Sequence, residues 1–148
     1  MLYLFYTIFF MNYSRASVFG VVAALFSFAL TYLLAILPVA LGGFLAQYIF
    51  FLIFFIPFLL LLTKWYFRSV PASFKQGLLL GLWSTGVSVG VYAIIFSIFM
   101  GLSAGFVFSD LIDLFYSSGF IIFICTLLAV TVFAGWEFDT TYTKPVKK

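Results

Sequence analysis

The chain has 148 residues and a net charge of +3; 66% of its residues are apolar and only 7% are charged, where soluble domains carry roughly a quarter. So few charges cannot clothe a soluble surface, and the apolar surplus, with 23 phenylalanines in it, calls for a lipid solvent. The 7 basic residues are scattered as short flanks beside apolar runs, with no basic stripe or stacking platform, which excludes nucleic acid as a partner.

Residues 1–11 form an apolar, aromatic stretch that ends in Asn12-Tyr13-Ser14-Arg15. It is too short to span a bilayer. It also lacks the basic start and small-residue cleavage site of a signal peptide. Two readings stand: an interfacial segment ahead of the first helix, or a native start at Met11.

Four uncharged apolar runs follow, at about Ala16–Leu37, Gly43–Leu62, Gly77–Met100 and Ser118–Trp136. Each is long enough, at 1.5 Å per residue, to cross a hydrocarbon core of roughly 30 Å. Lipid offers the backbone no hydrogen-bond partner, so the spans must be helical, and no strand-like alternation competes with that reading. The predicted fold is all-α: a single polytopic membrane domain of four transmembrane helices in an antiparallel bundle. Residues 139–148 read as a tail.

The connections differ. Pro38 to Gly43 is a tight turn, so the first two spans make a hairpin. The second connection holds Lys64, Arg68 and Lys75 around Trp65, Tyr66 and Phe67, the pattern of an interfacial anchor. Trp136 and Phe138 repeat the Trp-x-Phe spacing after the fourth span. Two readings of that echo stand, a duplicated hairpin or two helices reaching one interface. The third connection contains Ser109, Asp110 and Asp113, with the signature of a capped amphipathic turn.

Arg15, Lys64, Arg68, Lys75, Lys144, Lys147 and Lys148 all fall on one face of a four-span arrangement, and the two opposite connections have no lysine or arginine. The positive-inside rule makes that face cytoplasmic and puts both termini there. A bacterial plasma membrane is the expected location.

Chemistry-bearing groups are few. No span carries a central charge, the usual mark of proton relays and ion paths. The chain has no histidine, which removes the commonest general base and metal ligand. Its acids are Asp110, Asp113, Glu137 and Asp139, all at membrane edges, and two carboxylates make an incomplete calcium shell. No catalytic, cofactor-binding or metal-binding residue is therefore expected, and the chain reads as a non-enzyme. Cys125, the only cysteine, lies within an apolar run and reads as a small side chain facing lipid or a helix.

The third span is the informative one. Gly77, Gly81, Ser84 and Ser88 line one stripe of its first half; Gly86, Gly90, Ala93 and Ser97 line a roughly opposite stripe of its second half. Small residues let helix backbones approach closely in lipid, so both stripes are helix-packing candidates, one of them for a second subunit. Pro57 removes a backbone bond, stranding the carbonyl of Ile53, and predicts a kink. Gln47, the only amide within a span, is expected either to bond to a neighbouring helix or to line a polar path with Thr31, Thr85 or Ser88.

Lys64–Trp83, KWYFRSVPASFKQGLLLGLW, is about a seventh of the chain. It resembles the middle of small bacterial four-helix membrane proteins of unknown function, in which a basic-aromatic loop leads into a Gly-Leu-rich third helix. That resemblance implies the fold and no activity; the acidic residue those proteins often carry in the third helix is missing. Small multidrug transporters share the four-span size but depend on a carboxylate in the first helix, and Ala16–Leu37 has none. Two functional expectations follow: a non-enzymatic accessory or structural bundle with itself or a membrane protein as partner, or a small transporter or channel protomer acting as an oligomer.

Overall fold

A computed structural model describes residues 12–36, 43–101 and 117–142. They form α1 (Tyr13–Ile36), α2 (Gly43–Phe67), α3 (Phe74–Gly101) and α4 (Ser118–Tyr142), with no strand among the described residues. Each is long and apolar enough to cross a membrane. The amphipathic turn around Asp110 and Asp113, the first eleven residues, and the tail beyond Tyr142 lie outside the described residues.

Polar caps set where three helices begin. The Asn12 side chain accepts the N–H of Arg15 at 3.1 Å, and its carbonyl accepts that of Ala16 at 2.9 Å. Ser73 does the same for Gln76 and Gly77, and Ser117 for Phe120 and Ile121. Each cap satisfies N–H groups that a helix leaves open at its start. The helices accordingly reach beyond the apolar runs: α1 and α3 begin three residues early, and α2 and α4 run on to Phe67 and Tyr142. Hydrogen bonding along a helix does not stop where the hydrocarbon does. The expected tail is thus helical over its first four residues. At the start of α2, Gly43 has φ of 75°, a left-handed conformation open to glycine at little cost.

Around the bundle the helices are ordered α1, α2, α4, α3, and the two diagonal pairs barely touch. The chain reverses between consecutive helices, as expected, yet the two remaining interfaces are parallel. α1 meets α3 through Ala16 and Ser84, Gly20 and Ser88, and Ser27 and Tyr92, which advance together along both helices. α2 meets α4 through Tyr48 and Ser118 at one end and Phe67 and Phe138 at the other. One hairpin therefore lies beside the other in the same orientation. Phe67 and Phe138 meet edge to face at 5.9 Å, so the two Trp-x-Phe segments reach the same level. Residues 68–73 carry the chain across the diagonal from α2 to α3, a path that six residues, at most about 20 Å of extended chain, can cover. Val70, 4% exposed, anchors that crossing in the core.

The core is built differently at its two ends. At the end that holds Arg15, Lys64, Arg68 and Lys75, the basic end, backbones meet directly. A methyl group at Gly77 would overlap the Thr131 carbonyl oxygen, and one at Gly135 would fall 2.6 Å from the Ser73 carbonyl oxygen. Towards the other end rings fill the space: Phe26 stacks on Phe58 at 3.8 Å, and Phe55 meets Phe123 at 5.5 Å. Tyr92 packs on Phe120 and Phe123, both at 5.4 Å. Such pairs each contribute about 0.5–1.5 kcal/mol beyond area burial. The outside is apolar instead: Leu45, Leu61 and Ile94 are 72%, 70% and 63% exposed, and Cys125 is exposed among them.

Gly77→Ala and Gly135→Ala should each lower stability by roughly 1–3 kcal/mol, because backbone atoms cannot yield to the added methyl. Gly119→Ala, which points into open space, should be near neutral; thermal unfolding in detergent compares the three.

Candidate functional site

The buried polar residues Ser27, Thr63, Gln76, Ser84, Ser88 and Thr131 lie inside a bundle whose exterior is leucine, isoleucine and phenylalanine. In lipid this inversion follows from hydrogen bonding: a hydroxyl facing hydrocarbon finds no partner. Most of these groups find theirs in backbone carbonyls. On the α1–α3 seam, the Ser84 hydroxyl donates to the Ala16 carbonyl at 3.4 Å and the Ser88 hydroxyl to the Gly20 carbonyl at 3.0 Å. Further along, Tyr92 donates to Ser27 at 2.9 Å. Nearer the basic end, the Trp83 indole N–H donates to Ser17 at 3.0 Å. Glycine makes the approach feasible: a Cβ at Gly20 would lie 2.9 Å from both the Ser84 carbonyl oxygen and Val87 Cβ.

The first small-residue stripe of α3 is thus internal, and it is divided between two neighbours. Gly77 and Gly81 face Thr131 of α4, while Ser84 and Ser88 face α1. Thr131 turns its own hydroxyl back to the Leu127 and Leu128 carbonyls, at 2.9 and 3.0 Å. The partner residues Ser17, Gly20, Ser27, Thr131 and Gly135 were missed by the sequence reading. Ala16, Gly20, Ala23 and Ser27, at steps of four, three and four along α1, are the signal that could have found part of this seam.

The second stripe points away from the bundle. Gly86, Gly90 and Ser97 are exposed and Ala93 is half-buried; a Cβ added at Gly86 or Gly90 would meet no neighbouring element within 4 Å among the described residues.

Gln47 lines a small cavity of about 120 Å³ with Thr31, Tyr48 and Phe51, at the end opposite the basic residues. Thr31 and Gln47 are brought together as a polar path would require, whereas Thr85 and Ser88 are not part of that lining. Beside it, Tyr48 and Ser118 join hydroxyl to hydroxyl at 2.6 Å, linking α2 to α4. The Thr85 hydroxyl, elsewhere on α3, is buried without a partner. Pro57 lies within α2, which continues through it to Phe67, on an exposed face.

At the basic end, the Arg15 guanidinium donates to Ser69 Oγ and lies 5.2 Å from the Trp65 ring centroid. These contacts tie the start of α1 to the end of α2. Cation–π contacts of this kind contribute about 0.5–1 kcal/mol at exposed sites.

The four helices, long and apolar enough to cross a membrane and with leucine, isoleucine and phenylalanine exposed around them, define an integral membrane protein. No protein-family model, curated protein or solved structure matches the chain.

Ser88→Ala and Tyr92→Phe should each cost about 0.6 kcal/mol, the typical worth of an interhelical hydrogen bond in a membrane bundle. Being on separate bonds along the seam, they should add when combined; denaturant titration of the single and double variants checks both points.

Proposed function

We propose that the protein is a non-enzymatic accessory or structural bundle that works by association, with the outward stripe of α3 as its contact face. One observation carries this reading: Gly86 and Gly90 form a G-x-x-x-G step with no atom within 4 Å of an added Cβ. Glycine gives up helix propensity relative to alanine, roughly 1 kcal/mol per residue. The step at Gly77 and Gly81 has a reason in the close approach of α4; the step at Gly86 and Gly90 has none among the described residues. Close packing on a helix from outside supplies one, and a second copy or another membrane protein would fit there equally. The hydroxyls of the α1–α3 seam support the same reading, since carbonyls and hydroxyls of the neighbouring helix occupy them.

The bundle sits, in this proposal, in a bacterial plasma membrane with both termini in the cytoplasm. Arg15, Lys64, Arg68 and Lys75 gather at one end of the bundle, which the positive-inside rule turns to the cytoplasm. The resemblance of residues 64–83 to small bacterial four-helix membrane proteins agrees with this placement and brings no activity with it.

A second reading, a small transporter or channel protomer, draws on the cavity that Gln47 and Thr31 share, with Pro57 as a hinge in α2.

Replacing Gly86 and Gly90 together by leucine should reduce the assembly by one or more subunits in native mass spectrometry, whether these are copies or a co-purifying protein, with helicity and melting unchanged. An unchanged assembly overturns the association face. Under the transporter reading, Gln47→Leu should abolish flux in reconstituted vesicles while leaving the assembly intact.

A further inference from the structure

We infer that the basic end of the bundle carries a binding site for the headgroup of an acidic phospholipid, between the end of α2, the 68–73 crossing and α4. A cavity of about 480 Å³ opens there, lined by Lys64, Phe67, Arg68, Val70, Pro71, Ala72 and Phe138. Its volume is within the roughly 300–1,000 Å³ of small-ligand sites.

The chemistry of the lining selects the ligand. Among the described residues, two cations share a cavity that is otherwise ring, proline and aliphatic carbon, so an occupant with an anionic group and an apolar body satisfies both. The cations are available: Lys64 and Arg68 are exposed, and neither side chain is engaged by a described residue. Arg15, by contrast, is held by Ser69 and Trp65. The macrodipole accounts for a cation in the last turn of α2, but not for an apolar cavity beside it. The site also lies where headgroups are found, at the end of two apolar spans with Trp65 and Trp136 exposed at the same level. Basic pockets at such a level bind phospholipid headgroups. The sequence after α4 carries Lys144, Lys147 and Lys148, the same sign of charge as the cavity, and is a poor occupant. A phosphodiester between Lys64 and Arg68, with the first methylenes of an acyl chain along Phe67 and Phe138, uses every part of the lining.

This site is independent of the α3 association face, so each proposal can fail alone. The test is native mass spectrometry of the full chain in mild detergent, titrated with phosphatidylglycerol and, separately, with phosphatidylcholine. One phosphatidylglycerol should be retained in preference to phosphatidylcholine. K64Q with R68Q should weaken retention roughly 30-fold, the equivalent of about 2 kcal/mol for two interfacial cations. A72W, which fills the cavity and leaves the charges, should weaken it comparably. K75Q, at the same end but outside the lining, should leave it unchanged, as should millimolar inorganic phosphate. Four results would each overturn the site: equal retention of the two lipids, an equal loss with K75Q, full retention by A72W, or displacement by phosphate, which would mark a free-anion site. Discrimination between the lipids by the unaltered protein decides the matter even where a variant is unstable.

Discussion

Hydrocarbon accepts no hydrogen bond, and the arrangement of this bundle follows from that one constraint. A backbone in lipid must close its bonds within the helix, and a side-chain hydroxyl must find its acceptor in the protein. Ser84, Ser88 and Tyr92 find theirs on α1, and Thr131 turns back on its own helix. Each bond is worth less than 1 kcal/mol on average. Their larger effect is on position, because a serine that must reach a carbonyl sets both the separation of two helices and their register.

Separation in turn decides which residues are usable. Where α3 approaches α1 and α4 at the basic end, the backbones come so near that only glycine fits at Gly20, Gly77 and Gly135. Towards the other end, Phe26, Phe55, Phe123 and Tyr92 hold the helices by ring contact. The small cavity beside Gln47 and Thr31 lies at this end. One bundle thus has an end held by backbone contact, where the chain crosses from one hairpin to the other, and an end filled by aromatic side chains.

Both surfaces assigned a role are the ones that internal packing leaves unused. α3 spends one small-residue stripe on its neighbours and turns the other towards lipid. At the basic end, Arg15 is committed to holding α1 and α2 together, whereas Lys64 and Arg68 border an apolar hollow. Neither surface needs a catalytic group. Association in lipid and capture of a headgroup both rest on shape and charge alone, which suits a chain without histidine or a charge at the centre of any span.

Much of the fold was legible in the residues themselves. The lengths and hydropathy of the runs dictate four helices, since lipid permits a single polypeptide few other solutions, and successive crossings of the bilayer make consecutive helices antiparallel. The two small-residue stripes of α3 follow from its periodicity. Helix ends were less legible, because Asn12 and Ser73 extend α1 and α3 by capping, outside the apolar pattern. Tertiary structure alone decided that the hairpins lie side by side in parallel, that Gly77 faces α4 while Ser88 faces α1, and that Gly86 and Gly90 face outwards. It alone joined Lys64 and Arg68 to Phe138, some seventy residues away, in one cavity. The physical reason is common to all of these: in a helix that is apolar on every side, hydrophobicity does not distinguish inside from outside. Only the fit of particular small residues against particular neighbours breaks the tie.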